Sequence, residues 1–294
     1  MPAVSIGVCA YNEEKNIRHT LDSILNQTVR GGSIEEIIVV SSGSTDGTDD
    51  IVREYSSKDP RVRLLRQERR EGKNSAVNAF MASAKGDILV LVNADNNLGE
   101  GALDHLVSHF ADQKVGVVGG RPMPVNRRDS IPGFAVYMLW DMHHRLSLIY
   151  PKVGEAIAFR NLNIQIPTGM QSDEDLVRMD LEKRGYRTEY EPKAIVVNKG
   201  PDTVRDYWKQ RTRVNIGERY MKRLFDFDIP TWDNRFLFQA YLGFLKDNSN
   251  HVLRMSAAMV MELLARAYAS IYVKMDKGDK VLWSMVESTK NVNS

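Results

Sequence analysis

The sequence predicts an α/β fold in which helices flank a mainly parallel sheet. Short apolar segments of strand length recur along the first part of the chain, at residues 4–10, 36–40, 62–65, 87–92 and 115–119. Segments with helical periodicity separate them, and this alternation is typical of right-handed βαβ units. The strands are apolar along their whole length, as a parallel sheet requires when helices cover both of its faces.

The pattern becomes less regular after residue 121. We expect strands at residues 156–159 and 194–197, and helices at 131–149, 174–183, 203–224 and 236–273. Gly185 follows the second of these helices at a position where a glycine commonly ends a helix. No linker composition divides the chain, so we expect one domain over residues 1–224 and a helical C-terminal appendage over 225–294.

Composition and charge exclude several classes of protein. The 294 residues carry a formal net charge of +2, which is too small to favour nucleic acid as a partner. Cys9 is the single cysteine, so no intrachain disulfide can form, as is typical of a reducing compartment. We expect no signal peptide, and no membrane span either, because Arg254, Glu262 and Arg266 interrupt the apolar segment 252–273. The sequence therefore predicts a cytoplasmic protein.

Polar loops follow three of the predicted strands, at residues 11–14, 41–48 and 93–97. Ligands of parallel sheets bind at the carboxyl ends of the strands, so we expect these loops to converge on one cleft. In the first loop, Tyr11 offers an aromatic face and Glu13 a carboxylate to a ribose or a base. The alternative is that Asn12 and the neighbouring acids only stabilise the start of the next helix.

Asp95 lies just after the predicted strand 87–92. A carboxylate there is well placed to bind Mg²⁺ or Mn²⁺, which prefer oxygen ligands and accompany nucleotide diphosphates. The metal would then act as a Lewis acid toward a leaving diphosphate. Segments rich in asparagine, such as 93–97, also form ordinary turns, and this alternative stays open.

Three consecutive acids, Asp173, Glu174 and Asp175, stand at the start of the predicted helix 174–183. A carboxylate here could act as a general base that takes the proton of an acceptor hydroxyl. Only one of the three can have that role. The alternative is that all three are charges that stabilise the positive end of the helix.

Gln210 and Arg213 lie one turn apart on the predicted helix 203–224. The guanidinium of Arg213 could bind a diphosphate through two parallel hydrogen bonds. A solvated basic helix face is the alternative, and the residues themselves do not decide between the two.

The order and spacing of these segments resemble glycosyltransferase family 2 of the GT-A fold, from residue 4 to about residue 220. The segments that carry the resemblance are 10–13, 44–48, 72–79, 93–95, 154–160, 173–186 and 210–214. The last of them is similar to the glutamine/arginine motif of the inverting, synthase-like branch of the family.

The resemblance implies roles for the matched residues. Residues 1–121 would form the nucleotide-binding part of the domain and residues 122–224 the acceptor-side part. Asp95 would bind Mn²⁺ or Mg²⁺, and one of the acids at 173–175 would be the catalytic base, with Glu174 favoured by its spacing from Gly185. The donor, a nucleotide sugar such as a UDP-sugar, would contact Ala10, Tyr11, Glu13, Ser42, Lys73, Asn93, Ala94, Gln210 and Arg213.

Three departures from the family pattern matter. Ser41 and Ser42 stand where the family usually has an aspartate that recognises the base or the ribose, so the base stays open. Asn93 replaces the first acid of the metal motif, which lowers the charge of the site. Val214 replaces a tryptophan that contacts a growing polymer in the synthase branch, which disfavours processive synthesis.

The resemblance implies an inverting, metal-assisted single displacement onto a hydroxyl of a glycan, a lipid-linked acceptor or a small molecule. The alternatives are a retaining GT-A transferase and a non-catalytic scaffold protein that binds a nucleotide sugar. The appendage could contact the cytoplasmic face of a membrane or form a homo-oligomer. Packing or oligomerisation is favoured, because Met and Leu at helical spacing are usually core residues.

Overall fold

Eight strands form one sheet in the part of the chain that the computed structural model describes, residues 2–227, 234–275 and 286–289. In chain order they are β1 Ala3–Ala10, β2 Ser33–Ser42, β3 Val62–Gln67, β4 Ile88–Asn93, β5 Asn97–Leu98, β6 Val115–Pro124, β7 Ala156–Arg160 and β8 Arg187–Asn198. The α-helices in the same residues are α1 Ile17–Leu25, α2 Thr48–Lys58, α3 Lys73–Ser83, α4 Ala102–Ser108, α5 Ile131–Ser147, α6 Asp173–Lys183, α7 Val204–Phe225, α8 Asn234–Asp247 and α9 Val252–Lys274.

The strand order across the sheet is β3-β2-β1-β4-β7-β6-β8-β5. The first four strands in this order pair in parallel, and so do β6 and β8. Strand β7 runs antiparallel to both β4 and β6, and the short β5 runs antiparallel to β8. The predicted α/β fold with a mainly parallel sheet, flanking helices and C-terminal helices is confirmed.

Strand β2 shows why the strands are apolar throughout. Ile37 and Val39 belong to a core cluster on one face of the sheet, which α1, α2 and α4 cover. Ile38 and Val40 belong to a second cluster on the other face, beneath α3 and α6. Successive side chains of a strand point to opposite faces, so a strand covered on both sides needs an apolar residue at every position.

Gly7 in the middle of β1 fixes the position of α3. A Cβ atom at this residue would stand 2.5 Å from the ring of Phe80, which is fully buried in α3. The glycine therefore lets the helix approach the strand closely. This contact holds α3 against β1, and the first residue of α3, Lys73, reaches the site described below.

The segment predicted as helical over 236–273 is broken into two helices. Helix α8 ends at Asp247, a 3₁₀ turn spans Ser249–His251, and α9 begins at Val252. Asn248 lies at the break, where both its N–H and its side-chain amide donate to the carbonyl of Phe244, each at 3.0 Å. The backbone bond is an ordinary helical one, and the side-chain amide competes for the same carbonyl, as asparagine side chains commonly do where a helix ends.

Helix α9 packs along α7 and α5, so the appendage adds to the walls of the domain. No helix among the described residues has both the length and the apolar character needed to cross a membrane. Parts of the predicted appendage, at 228–233, 276–285 and 290–294, lie outside the described residues. The division at residue 224 and the contact with a membrane or a second copy stay predictions.

A buried ion pair joins α7 to α9. Both oxygens of Glu262 accept hydrogen bonds from the guanidinium of Arg211, at 2.7 and 2.9 Å, and Glu262 also accepts one from Arg266 at 2.9 Å. The side chains of Arg211 and Glu262 are only 7% and 16% exposed. Each of these groups has lost most of its water, so each depends on the other for compensation.

We predict that Glu262→Gln lowers the free energy of unfolding by about 3 kcal/mol, because it leaves the Arg211 guanidinium buried without its full charge partner. Urea denaturation of wild type and variant measures the difference. Asp226→Asn is the matched control, since it also removes the acid of an ion pair, with Lys222, but its side chain is 91% exposed. Equal effects of the two substitutions would contradict a structural role for the buried pair.

Candidate active site

The loops after β1 and β2 are locked together by hydrogen bonds. The Glu13 N–H donates to Thr48 Oγ1 at 2.8 Å, and the Thr45 N–H donates to Asn12 Oδ1 at 2.9 Å. Asn12 takes the left-handed backbone conformation (φ 53°), which asparagine tolerates better than most residues. The turn directs Tyr11 and Glu13 into a cavity at the carboxyl ends of the strands.

Tyr11 and Arg70 form one wall of that cavity. The Arg70 guanidinium lies 4.2 Å from the centroid of the Tyr11 ring, a distance at which cation and ring attract each other. Ser42 is nearly buried, and its Oγ accepts a hydrogen bond from the Glu71 N–H at 3.1 Å. Ser41 is fully buried and hydrogen-bonds elsewhere in its loop. The carboxylate that this wall offers the cavity is therefore that of Glu13.

Asn93 and Asp95 reach the cavity from the end of β4. Asn93 Nδ2 donates to Glu155 Oε2 at 3.0 Å, and Asn96 Nδ2 donates to the same oxygen at 2.8 Å. Asp95 is half-buried, and its carboxylate accepts no hydrogen bond within the described residues. Burial, and secondly the charge of Asp95, raise the pKa of Glu155.

Glu155 owes its position to the direction of β7. Since β7 runs antiparallel to β4, with Ala156 opposite Val92, the residue just before β7 stands beside the end of β4. Glu155 is held there in the left-handed backbone conformation (φ 64°). This conformation costs a residue other than glycine about 1–2 kcal/mol.

Lys73 joins the two halves of the cavity. Its Nζ lies 2.9 Å from Asp173 Oδ2 and 3.2 Å from Glu174 Oε1, at the start of α6. Burial alone would lower the pKa of Lys73, but the two carboxylates raise it instead. Burial, and then the charge of Glu174, raise the pKa of Asp173 to about 6, although Lys73 acts in the opposite direction.

Asp175 faces a different set of charges. Its Oδ1 lies 3.7 Å from Nη1 of Arg178, whose side chain is fully buried. Lys152, which pairs with Glu218 at 3.2 Å, also acts on it. Burial nevertheless raises the pKa of Asp175 to about 6. Glu174 is the most open of the three acids, with 20% of its side chain exposed against 5% for Asp173 and 12% for Asp175.

Helix α7 contributes Gln210 and Arg213 to the same cavity. Burial lowers the pKa of Arg213, and the carboxylates of Asp95, Glu155 and Asp173 act against this change. Arg213 is therefore within electrostatic reach of both the β4 end and the α6 start.

The cavity has a volume of about 1020 Å³. It is lined by every residue that the sequence predicts as functional, namely Ala10, Tyr11, Glu13, Ser42, Lys73, Asn93, Ala94, Asp95, Asp173, Glu174, Asp175, Gln210 and Arg213. A second, mostly apolar wall comes from α5, α8 and α9, through Met138, Leu139, Trp140, Met142, Leu237, Phe238, Tyr241, Met259 and Leu263. The residues predicted as functional therefore line one cavity, whereas the role of each stays a prediction.

Charged cavity residues that do not appear among the sequence-based candidates include Arg70, Lys152, Glu155 and Glu262. Glu155 had a sequence signal, since an acid between Gly154 and an apolar strand is an unusual start for a buried strand. Arg70, Lys152 and Glu262 gave no signal of their own, because a single charged residue in a loop or helix is most often solvated. Their pairing partners lie far away in the sequence.

Comparison with known proteins identifies relatives of the chain. A family model described as glycosyl transferase family 2 matches residues 5–169. The probable glycosyltransferase YdaM of Bacillus subtilis is 29% identical over 239 residues, which cover 75% of this chain and 56% of that protein. A Staphylococcus aureus poly-beta-1,6-N-acetyl-D-glucosamine synthase is 26% identical over 226 residues, which cover 72% of this chain and 54% of the synthase. The chain spans about half the length of these curated relatives.

Solved structures with the same fold include the mannosyltransferase PcManGT from Pyrobaculum calidifontis, in complex with GDP-Man and Mn²⁺. It is 26% identical with a TM-score of 0.59, and the match covers 94% of this chain and 79% of that one. Residues 1–349 of Staphylococcus aureus TarS give a TM-score of 0.52 at 19% identity, over 93% of this chain and 92% of that one. The second likeness concerns the fold alone.

We predict that Asp175 makes the protein less stable as the pH rises from about 4 to about 7. Folded Asp175 keeps its proton up to a pKa of about 6, whereas the unfolded carboxyl loses it near 3.8, so the folded state binds more protons within this window. Asp175→Asn removes this effect, and each unit by which the folded-state pKa exceeds the unfolded-state pKa corresponds to about 1.4 kcal/mol. Relative to wild type, the variant should gain up to about 3 kcal/mol between pH 4 and 7.

Urea denaturation at several pH values measures this difference for the wild type and the Asp175→Asn variant. The substitution also changes contacts with Arg178 and Lys152, so the test is how the difference in stability varies with pH and not its size at one pH. A difference in stability that does not vary with pH would contradict a raised pKa at Asp175.

Proposed function

The chain belongs to glycosyltransferase family 2, and from this premise we propose that it moves a sugar from a nucleoside-diphosphate sugar to an acceptor hydroxyl with inversion at the anomeric carbon. The observation that carries the proposal is the meeting of two acidic groups in one cavity. Asp95 comes from the end of β4, and Glu174 comes from the start of α6. Arg213 is within electrostatic reach of both.

The donor is proposed to lie along the nucleotide-binding part of the cavity. Its base and ribose would contact the wall formed by Tyr11, Arg70 and Glu13. Its diphosphate would lie near Arg213, whose planar guanidinium suits phosphate oxygens. UDP-sugars are the first donors to test, and the GDP-Man bound to the Pyrobaculum mannosyltransferase makes GDP-sugars the second.

A divalent cation fits this site together with a diphosphate, but not through protein ligands alone. Among residues 2–227, 234–275 and 286–289, no three His, Cys, Asp or Glu side chains form a group that could hold a metal. Asp95 nevertheless offers a carboxylate without hydrogen bonds from the described residues, and Mg²⁺ and Mn²⁺ commonly combine one or two carboxylates with substrate phosphates and water. Bound there, the cation would neutralise charge that develops on the leaving diphosphate.

Glu174 is the proposed catalytic base. Asp173 is the least exposed of the three acids and lies 2.9 Å from Lys73, which suits a positioning role. Asp175 is directed toward Arg178 and Lys152. Glu174 is the most open to the cavity, and its contact with the Lys73 ammonium holds its carboxylate in one orientation.

In the proposed reaction, the Glu174 carboxylate accepts the proton of the acceptor hydroxyl as that oxygen attacks the anomeric carbon. Attack occurs from the side opposite the diphosphate, so one displacement inverts the configuration. Lys73 and Asp173 hold Glu174 in place, and Arg213 stabilises the negative charge of the departing diphosphate. Residues of α5, α8 and α9 restrict the access of water.

The acceptor is proposed to enter past the apolar wall. Ligand pockets usually measure about 300–1,000 Å³, so a cavity at the top of this range accommodates a donor and part of an acceptor together. The methionine and aromatic side chains of α5, α8 and α9 suit an acceptor with an apolar portion, as in a lipid-linked sugar. Val214, where the synthase branch has tryptophan, supports transfer of single sugars.

We predict that a nucleoside diphosphate raises the melting temperature of the protein only when Mn²⁺ or Mg²⁺ is present. A ligand at 100 times its Kd stabilises the folded state by about 2.7 kcal/mol, which is a rise of several degrees for a chain of this size. Asp95→Ala should abolish the part of the rise that depends on the cation. Thermal unfolding with UDP, GDP and their sugars measures it.

Glu100→Ala is the control for Asp95→Ala, because Glu100 is an exposed acid outside the cavity. It should leave the rise in melting temperature unchanged. Absence of a rise with every nucleotide would contradict the donor site. A cation-dependent rise that survives in Asp95→Ala would place the cation elsewhere.

We predict that Glu174→Gln slows sugar transfer by about 10²–10⁴-fold, because the amide cannot accept the proton. Transfer to water is a suitable assay while the acceptor is unidentified, and NMR of the first sugar released reports its anomeric configuration. Stabilisation by the nucleotide should be retained. Asp175→Asn is the matched control, and we expect it to keep most of the activity.

Loss of activity in Asp175→Asn instead of Glu174→Gln would transfer the role of base to Asp175. A double amide variant that works at the wild-type rate would contradict a base at the start of α6. Release of sugar with retained configuration would favour the retaining alternative.

A further inference from the structure

Glu155 is a cavity carboxylate that the mechanism above does not use. Its Oε2 accepts hydrogen bonds from the amides of both Asn93 and Asn96. Its Oε1 accepts no hydrogen bond within the described residues, yet it is not among the buried atoms that lack a partner. This second oxygen is therefore accessible in the cavity that Asp95 also lines.

The contact between Glu155 and Asn93 explains why residue 93 is not an acid. Asn93 Nδ2 stands 3.0 Å from Glu155 Oε2, and an aspartate at 93 would place a second carboxylate oxygen at a similar distance. Two carboxylates so close repel each other strongly unless one of them keeps a proton. A carboxylate is therefore compatible with position 93 or with position 155, whereas carboxylates at both positions would repel each other.

The backbone supports a requirement for the glutamate side chain. Glu155 keeps a left-handed conformation (φ 64°) that glycine would adopt without strain. Strained residues of this kind cluster at functional sites, where the surrounding structure holds them. Two amide hydrogen bonds to one oxygen hold Glu155 in the orientation that leaves Oε1 toward the cavity.

We propose that Glu155 supplies the second carboxylate for the cation–diphosphate site, in place of the acid that Asn93 has lost. The proposal rests on the proposed function and deepens it. Asp95 and Glu155 reach the site from two neighbouring antiparallel strands, so the negative charge that a single loop would carry is divided between two elements. Arg213, which is within reach of both carboxylates, provides the opposing charge.

The test is an exchange of charge between the two positions. Glu155→Gln removes the carboxylate, and Asn93→Asp with Glu155→Gln returns one carboxylate on the other strand. For each protein, Mn²⁺ is titrated at a fixed concentration of UDP or GDP, and the midpoint of the rise in melting temperature is recorded. This measurement does not depend on catalytic activity or on an acceptor.

We expect Glu155→Gln to raise the Mn²⁺ midpoint at least tenfold, and the exchanged double variant to return to within about threefold of wild type. Glu100→Gln, an exposed acid outside the cavity, is the control for general loss of charge and should change nothing. A midpoint within twofold of wild type in Glu155→Gln overturns the proposal. So does a double variant that remains as weak as Glu155→Gln.

Glu155→Gly separates the proposed role from a structural one. Glycine suits the left-handed conformation, so the variant without ligand should melt at or above the wild-type temperature. Its Mn²⁺ midpoint should still rise at least tenfold, because the carboxylate is absent. A glycine variant with a normal midpoint overturns the proposal, whatever its stability.

The outcomes distinguish this inference from the proposed function. Nucleotide binding by wild type without any dependence on Mn²⁺ or Mg²⁺ overturns the cation site as a whole, and Glu155 with it. A cation dependence that Asp95→Ala abolishes and Glu155→Gln leaves intact overturns only the role of Glu155. The proposed transferase function would then stand, whereas the proposed role of Glu155 would not.

Discussion

The contact of Lys73 with Asp173 and Glu174 is the interaction on which the cavity depends. It joins the first residue of α3 to the first residues of α6, 100 positions later in the chain, and so connects the predicted nucleotide-binding part to the predicted acceptor-side part. Without an ammonium between them, two adjacent carboxylates in a poorly solvated place would be expected to take up protons. Lys73 thus allows the acids to be close together, and the approach of α3 to β1 at Gly7 sets where the ammonium lies.

The direction of β7 is the second constraint. Four parallel strands end at the cavity, as strands of an α/β sheet do, and β7 enters the sheet beside β4 from the opposite direction. The start of an antiparallel strand then meets the end of its parallel neighbour, so Glu155 stands beside Asn93 and Asp95. The two acids approach one site along separate backbones, and hydrogen bonds from Asn93 and Asn96 fix Glu155 while the Asp95 carboxylate accepts none within the described residues.

Local patterns in the sequence predicted the elements that carry their own signal. The apolar segments predicted the strands, and their alternation with helical segments predicted the fold class. The order of the motifs predicted that residues such as Tyr11, Asp95 and Arg213 lie together, and all three line one cavity. Strand direction and order carry no local signal, so the antiparallel direction of β7, and with it the position of Glu155 beside Asn93, could not be predicted. The break at Asn248 was also missed, because one asparagine within a helical pattern does not by itself predict the end of the helix. The buried ion pair of Glu262 could not be predicted either, because its partner Arg211 lies 51 residues away in the sequence.

Backbone strain accompanies the acids of this cavity. Asn12, Glu155 and Ser172 all have positive φ values (53°, 64° and 70°), and each is, or directly precedes, a cavity acid: Glu13, Glu155 itself and Asp173. The conformation costs about 1–2 kcal/mol at each of Glu155 and Ser172 and less at Asn12, because asparagine tolerates it. This strain offsets a substantial part of the 5–15 kcal/mol by which domains are usually stable. Hydrogen bonds across the loops hold two of them in place, Asn12 with Thr45 and Glu155 with two asparagines. Sharp turns at these points are what bring side chains from three separate elements to one place, and a relaxed backbone would direct the same carboxylates elsewhere. The site is therefore built by concentrating strain and charge where the loops meet, and the wide apolar sheet behind it supplies the stability that both require.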